Sequence, residues 1–400
     1  MVTFIPFKGY RPAIRTADDR IEDRVSPPYD VIGPDYLAQL QSKPDNVTNL
    51  TLRPDADKRY RGSRKLLDEM IASGSLKQDE PTFYVCKQTF TVDGVKMVRH
   101  GIIGALRTED YSQGNIIPHE ETFSKVKEDR LNLLRDMEAH LESIFGIYEG
   151  FTPELNRRID NYSRMIYRVV DYQGVEHCYY RIMDDDGVCR EITEALSKQK
   201  MLIADGHHRY ETALNYAREN PDDESKQYVL ATLVAKDDAG LLVLPTHRMV
   251  TGEDISEKNA ILKIGKAMKL EEVPLDEVKE RMKDHDMGLV FRSGKAFTAD
   301  FEGERKGLWR IDSYQAQQLI LRGVYKSDED KAKVAYDPDA DLVMSLVKEG
   351  KHDMAVLFNN DSAKLLGTVW DLSMEGVRMP KKTTYFFPKM WSGFVFYLMH

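Results

Sequence analysis

The pattern of hydrophobic and polar residues along the chain predicts short strands and helices in an irregular order. Two stretches, 82–106 and 165–184, are rich in β-branched and aromatic residues. Each contains residues typical of a turn near its middle, and in the first stretch this turn begins at Asp93. We therefore predict a β-hairpin in each stretch. From Ser124, apolar residues recur at spacings of three and four as far as Leu141, which predicts a helix.

A buried strand followed at once by an amphipathic helix is the most informative of these patterns. The apolar run 201–204 has the length of a strand. Apolar residues then recur with helical spacing from Tyr210 to Ala217, and Pro221 ends the helix. The five residues 205–209, with the sequence DGHHR, lie between strand and helix, and we call them the elbow.

The elbow carries the residue types of an anion site. It lies at a predicted helix N-terminus, where backbone N–H groups and the helix dipole favour phosphate. Gly206 allows close approach of a ligand, Arg209 offers a planar fork to phosphate oxygens, and His207 and His208 can donate hydrogen bonds. Asp205 would repel phosphate, so we predict that it holds Mg²⁺. The structural alternative is a helix cap with packing histidines.

Composition narrows the function classes. The chain has 400 residues and a formal net charge of −9, which argues against a protein that coats nucleic acid. Three cysteines without a C-x-x-C pair favour a reducing cytoplasm. No apolar run approaches the roughly 20 residues of a membrane helix. We expect a cytoplasmic protein without a membrane or nucleic-acid partner.

The irregular alternation of strands and helices predicts an α+β fold rather than a regular βαβ array. Charge rises after residue 250. We predict a main α+β domain over 1–250, a peripheral helix-and-strand subdomain over 251–315, and a C-terminal segment over 316–400 that packs back on the core.

The stretch "ADGHHRYETAL" resembles the signature of a widespread prokaryotic family known as domain of unknown function ten-fifteen. Other blocks similar to that family are "SPPYDVI", "HEETFSKVKEDRLNLL", "LPTHRMV" and "MPKKTTYFFPK". The element DGHHR also resembles the phosphate box of the ParB/sulfiredoxin fold. This resemblance implies a ParB/sulfiredoxin-like mixed core with hairpin insertions and a smaller C-terminal α+β region.

Within that fold, the free-serine kinases carry the same five letters as the elbow. They phosphorylate free L-serine with a nucleotide donor and Mg²⁺, and an upstream glutamate is the base. The resemblance implies that Glu120 or Glu121, beside His119, is the base here, with Glu120 preferred. The alternative is that both are solvated acids at a helix start.

Further residues are candidates for substrate or phosphate binding, although each also fits an ordinary turn, a charged helix face, a strand end or a lysine-protected edge strand. These candidates are Tyr29, Asp30, Lys125, Arg130, His247, Arg248, Lys381 and Lys389.

The leading interpretation is a kinase-like enzyme, a phosphotransferase that uses ADP or ATP with Mg²⁺ and acts on a small hydroxyl compound, with free L-serine as the first candidate. A second is a metal-dependent phosphoester hydrolase, whose candidate ligands are Asp205, His207, His208, Glu211 and His119. A third is a non-catalytic nucleotide sensor. The expected partners are a nucleotide and a small molecule; the oligomeric state stays open, with a homodimer as one option.

Overall fold

The computed structural model describes most of the chain. The described residues are 1–16, 19–92, 94–121, 124–183, 186–252, 254–329, 332–359, 361–380 and 382–399.

Helices are spread over the whole length of the chain. Their bounds are α1 (Pro34–Gln41), α2 (Thr48–Thr51), α3 (Arg61–Ala72), α4 (Ser124–Met137), α5 (Pro153–Tyr162), α6 (Val188–Leu196), α7 (His207–Glu219), α8 (Glu257–Ala267), α9 (Val278–Arg281), α10 (Asp312–Ala316), α11 (Ala340–Lys348) and α12 (Ser362–Met374).

Strands alternate irregularly with these helices. Their bounds are β1 (Phe4–Ile5), β2 (Tyr10–Pro12), β3 (Leu76–Gln78), β4 (Tyr84–Val92), β5 (Val95–Arg107), β6 (Ile116–Pro118), β7 (Ala139–His140), β8 (Ile144–Tyr148), β9 (Ser163–Val170), β10 (Glu176–Ile182), β11 (Met201–Asp205), β12 (Tyr228–Ala235), β13 (Leu242–Leu244), β14 (His247–Gly252), β15 (Lys269–Val273), β16 (Met287–Phe291), β17 (Ala296–Asp300), β18 (Ala332–Asp337), β19 (Met354–Phe358), β20 (Tyr385–Phe387) and β21 (Tyr397–Leu398).

Two compact units divide the chain. The first consists of Met1–Pro118, Thr122–Leu241 and Pro388–His400, and the second of His119–Glu121 and Leu242–Phe387. This grouping differs from the expected three-part division, because strands from both sides of residue 315 pair in one sheet of the second unit.

The first unit is organised by a mixed sheet with the order β6-β11-β8-β12-β5-β4-β10-β9, in which β1 also pairs with β5. The pairs β6–β11 and β8–β12 are parallel, and the other neighbours are antiparallel. Alternate residues of β12 enter two different cores: Val229, Ala231 and Leu233 join one, and Tyr228 and Leu230 the other. Burial on both faces explains why this strand is an almost continuous apolar run.

The second unit contains an antiparallel sheet with the order β15-β17-β16-β19-β14-β18. Residues of α8 pack in one of its cores, and residues of α9 and α11 pack in another. In the described part of the chain, no helix is long and apolar enough to cross a membrane.

Both predicted hairpins are present, as β4–β5 and β9–β10. Asp93, at the first predicted turn, lies outside the described residues. The prediction that the helix from Ser124 continues to Leu141 is wrong. It ends at Met137, because Glu138 adopts a left-handed φ of 46° and the next two residues form β7, which pairs with β21.

The mixed α/β character predicted from the sequence is confirmed, with helices and several sheets. The assignment to the ParB/sulfiredoxin fold stays a prediction.

Candidate functional site

The predicted strand and helix are present as β11 and α7. The elbow consists of the last residue of β11, Gly206 and the first three residues of α7. Gly206 is the N-cap residue and has a φ of 88°, which is costly for any residue with a Cβ atom. A Cβ atom there would also lie 3.0 Å from a guanidinium nitrogen of Arg209. The left-handed backbone is the main reason for glycine at this turn, because the end of the Arg209 side chain could shift slightly to admit a Cβ atom.

Tyr210 fixes the first turn of α7 in the core. Its ring is fully buried and stacks on Tyr111, with 5.4 Å between ring centroids. Its hydroxyl group donates to the carbonyl oxygen of Glu109 at 2.7 Å and accepts from the backbone N–H of the same residue at 2.9 Å. The position of the elbow is thereby set by α7 as well as by β11.

Asp205, the last residue of β11, binds the ammonium group of Lys389. Lys389 Nζ donates to Asp205 Oδ2 at 2.8 Å, and the backbone N–H of Gly206 donates to Oδ1 at 2.7 Å. Burial alone would raise the pKa of Asp205, but the charges of Lys389 and Arg209 outweigh burial and hold it well below its usual range. Asp205 is therefore an ionised carboxylate surrounded by cations.

Arg99, which the sequence analysis did not select, is a further cation of this cluster. It is 1% exposed and interacts electrostatically with Asp205. Its guanidinium group donates to Gln88 Oε1 and to the carbonyl oxygen of Pro388, and it lies 5.1 Å from the ring of Phe145. Burial lowers its pKa to about 10, so it keeps its charge at neutral pH.

The contacts of Arg99 also position Lys389. Gln88 Nε2 donates to the carbonyl oxygen of Lys389 at 3.0 Å, and Arg99 binds the preceding carbonyl group. The side chain of Gln88 in turn contacts the buried His177, which is 2.9 Å from Asp171. A buried polar network thus anchors the segment that delivers the ammonium group to the elbow.

Arg209 extends from the elbow to a small cavity. Its guanidinium group donates to the carbonyl oxygen of Ser143 at 2.5 Å. The cavity has a volume of about 50 Å³, enough for several water molecules or a small anionic group. Its polar lining includes Arg130, His140, Glu142 and Thr212.

Two polar groups of this cavity, the hydroxyl group of Thr212 and the imidazole of His140, are uncharged at neutral pH. The hydroxyl oxygen of Thr212 is buried and, among the described residues, has no hydrogen-bond partner. Burial lowers the pKa of His140 to about 4, so its imidazole is neutral at pH 7. Its Nε2 lies 3.0 Å from the carbonyl oxygen of Tyr228 and, in the neutral ring, donates to it. The cavity therefore combines two arginines with neutral donors and one carboxylate.

Arg130 and Tyr29, both predicted as substrate residues, lie together. The guanidinium carbon of Arg130 is 5.1 Å from the ring centroid of Tyr29, within cation–π range. Arg130 is 7% exposed and donates to the hydroxyl oxygen of Tyr60 and the carbonyl oxygen of Thr51. These contacts fix the guanidinium group at the cavity wall.

The predicted base segment follows β6 and belongs to the second unit. The buried His119 lies 3.6 Å from Glu120 Oε1, and its Nε2 is 3.0 Å from the hydroxyl oxygen of Thr384. Glu121 is exposed. Backbone hydrogen bonds link this segment to Met379.

His247 and Arg248 are buried in the second unit. His247 Nδ1 accepts from the backbone N–H of Phe358, and burial lowers its pKa to about 4. Arg248 packs on the rings of Phe358 and Tyr336 and donates to the carbonyl oxygen of Lys382. These contacts are those of core residues. Lys381 and the side chains of Asp30 and Lys125 lie outside the described residues.

A metal ion does not fit the described side chains well. No group of three or more His, Cys, Asp or Glu side chains in the described ranges is placed to bind one. Asp205, the predicted Mg²⁺ ligand, already forms hydrogen bonds through both oxygen atoms, one of them to a cation. A Mg²⁺ ion on this carboxylate would lie beside the ammonium group of Lys389, which repels it, so we derive no step through a metal.

Comparison with known protein families identifies the family of this chain. The model of a protein family of unknown function, DUF1015, matches residues 4–323. The chain belongs to the DUF1015 family. The expected membership of this family is thus confirmed, whereas the individual blocks stay predictions and "MPKKTTYFFPK" lies outside the matched residues. No curated protein is significantly similar to this DUF1015 chain in sequence.

Several solved structures are distantly similar to this DUF1015 protein. A free serine kinase in complex with AMP has 13% sequence identity and a TM-score of 0.39, and the match covers 71% of this chain and 86% of the kinase. A conserved hypothetical protein from Pyrococcus furiosus has 12% identity and a TM-score of 0.36, with 72% and 93% covered. SbnI with a C-terminal truncation, from Staphylococcus aureus, has 9% identity and a TM-score of 0.36, with 72% and 85% covered. Similarity at this level transfers no function.

Proposed function

We propose that this DUF1015 protein is a nucleotide-dependent phosphotransferase that acts on a small hydroxyl compound. The observation that carries the proposal is the cation cluster at the start of α7, in which the charges of Arg99, Arg209 and Lys389 act on the carboxylate of Asp205. The cluster has an excess of positive charge, to which the helix dipole adds. Phosphate groups of ADP or ATP are the ligands that this charge and the small adjoining cavity favour.

The chemistry assigned to the cluster is electrostatic. The oxygen atom of the acceptor hydroxyl group attacks the terminal phosphorus atom of the donor, and the bond from that phosphorus to the bridging oxygen breaks. The cation cluster stabilises the negative charge on the transferred group and on the leaving phosphate. Because Arg209 is held by the carbonyl oxygen of Ser143, its orientation is set before the donor binds.

Glu120 is proposed as the base that takes the proton of the acceptor hydroxyl group. This choice rests on the resemblance of the elbow sequence to that of the free-serine kinases, in which an upstream glutamate is the base.

Free L-serine is the first candidate acceptor, because the elbow sequence resembles that of the free-serine kinases. The test is incubation of the full chain with ADP or ATP and L-serine, with detection of O-phosphoserine by ³¹P NMR. L-Alanine, which lacks the hydroxyl group, should give no product. Glu120→Gln should bind nucleotide with unchanged affinity and lose turnover. Arg209→Gln should lose nucleotide binding, whereas Arg218→Gln on the exposed side of the same helix should not.

Absence of nucleotide binding by the wild-type chain would contradict the proposal. Nucleotide binding without transfer to L-serine or any other hydroxyl compound would instead favour the sensor alternative. The metal-dependent hydrolase receives no support from the described side chains, which form no cluster of three ligands.

A further inference from the structure

A second cavity lies wholly within residues of the second unit. Its volume is about 130 Å³. The start of α10, the start of α12 and the end of β19 contribute to its wall. The lining residues that matter here are Lys283, Arg310, Asp312, Ser313, Phe358 and Lys364.

Two of these cations are already engaged. Lys283 Nζ lies 2.5 Å from a carboxylate oxygen of Glu280, and Arg310 lies 3.3 Å from Asp371. Their charges are therefore largely compensated by neighbouring acids.

Asp312 and Lys364 differ from these two cations. Within the described ranges, neither forms an ion pair within 4.0 Å, although the charge of Lys364 acts on Asp312. Burial, assisted by the nearby charge of Asp286, raises the pKa of Asp312 to about 6. A cation placed on this carboxylate would relieve the cost of its burial. Asp361 also lines the cavity, and its Oδ1 caps α12 by accepting from the backbone N–H of Lys364. Among the described residues, Asp312 and Lys364 are thus a carboxylate and an ammonium group of the lining without a direct ion pair.

Ser313 adds a buried hydroxyl group to the same wall. The residue is 7% exposed, and among the described residues its Oγ has no hydrogen-bond partner. Leaving such a buried group unpaired is unfavourable. Apolar side chains, including those of Ile311, Phe358 and Leu365, complete the lining. A ligand with polar ends and a small apolar part would match these groups.

We propose that this cavity binds a free amino acid in its zwitterionic form. Its ammonium group would lie on Asp312, its carboxylate on Lys364, and Ser313 would donate a hydrogen bond to that carboxylate. The volume is well below the roughly 300–1,000 Å³ of pockets for drug-sized ligands, which restricts the ligand to a small one. A simple anion would leave Asp312 unpaired, and a simple amine would leave Lys364 unpaired. The inference does not rest on the proposed phosphotransferase activity.

The test is isothermal titration calorimetry of the full chain with the twenty common amino acids and with matched halves of the smaller ones. Acetate and methylamine match glycine, and propionate and ethylamine match L-alanine. We expect at least one amino acid to bind, and the smaller ones to bind at least tenfold more tightly than their matched halves. Asp312→Asn and Lys364→Gln should each weaken binding tenfold or more. Asp341→Asn and Lys351→Gln, at exposed positions outside the cavity, should not.

Two results would overturn the inference: no amino acid binds, or amino-acid binding is unchanged in Lys364→Gln. The second variant is decisive if Asp312→Asn disturbs folding, because Lys364 is exposed on a helix and its replacement should leave the chain folded, with only a small change in melting temperature. Arg209→Gln should leave this binding intact, which separates it from acceptor binding at the elbow. A chain that binds nucleotide but no amino acid would refute this inference and leave the proposed function standing.

Discussion

Removal of the ammonium group at Lys389 is expected to destabilise the first unit through Asp205. Lys389→Met retains most of the apolar stem and removes the charge. The two side chains are 14% and 32% exposed, and the N–O distance is 2.8 Å. Breaking a fully buried pair costs about 3–5 kcal/mol, and exposed pairs contribute about 0–1 kcal/mol. Because Asp205 is partly exposed and Arg209 remains near it, we expect a loss of about 1–3 kcal/mol.

The pH dependence of this loss follows from the depressed pKa of Asp205. In the folded wild type the pKa lies below the value of about 3.9 typical of an unfolded chain. The ion pair therefore contributes its full stability above about pH 4, and that contribution is lost as the pH falls through the folded-state pKa. In Lys389→Met, burial raises the pKa of Asp205 with less opposition. The difference between wild type and variant should be constant from pH 6 to 8 and shrink below about pH 4.

A double-mutant cycle with Lys389→Met and Asp205→Asn, measured by urea unfolding at pH 7, isolates the pair. Lys87 and Asp160 form the matched control, because their N–O distance is also 2.8 Å but their side chains are 26% and 58% exposed. Their coupling free energy should be about 0–1 kcal/mol. A coupling for Lys389 and Asp205 no larger than that of the control would refute the argument that burial makes this pair strong.

Three further predictions concern the same unit. Arg209→Lys should weaken nucleotide binding about tenfold in calorimetry, because a guanidinium fork binds two phosphate oxygens and an ammonium group does not; Arg218→Lys should not. Because the pKa of folded His140 is about 4, stability should fall by up to about 3 kcal/mol as the pH drops from 6.5 to 4, and His140→Gln should flatten this slope in urea unfolding. Tyr210→Phe should cost about 1–2 kcal/mol, because both hydrogen bonds to Glu109 are lost.

The elbow could be predicted because its signals are local. The apolar run of β11, a glycine, and helical spacing after Tyr210 all occur within twenty residues. The end of α4 could not be predicted in the same way. The periodicity continues to Leu141, but the pairing of β7 with a C-terminal strand replaces the last helical turn. A partner some 260 residues away leaves no trace in a local pattern.

Arg99 shows the same limit for the candidate site. A charged residue in a predicted strand is normally interpreted as facing solvent. Gln88 is its cross-strand partner in the predicted hairpin, but the contact with Pro388 arises only when a segment distant in the sequence packs on that hairpin. One signal was available. Arg99 shares its strand face with Gly101, Ile103 and Ala105, a small and apolar series in β5. An arginine on the apolar face of a strand is a candidate for a buried, paired or ligand-binding role.

The cation cluster is costly in the absence of a ligand, and that cost is an argument for one. Burial opposes the charge of Arg99, whose pKa falls to about 10. Two carboxylates, Asp238 and Asp205, act on it, and Asp205 is shared with Arg209 and Lys389. Proteins keep unfavourable arrangements of this kind, such as several buried cations close together, chiefly at functional sites. An anion that binds here should return stability by mass action, about 2.7 kcal/mol at a concentration one hundred times its dissociation constant. If the cluster were only structural, replacing Arg99 with an apolar residue would lower stability, because Gln88 and the carbonyl oxygen of Pro388 lose their donor, but it would cause no loss of anion affinity.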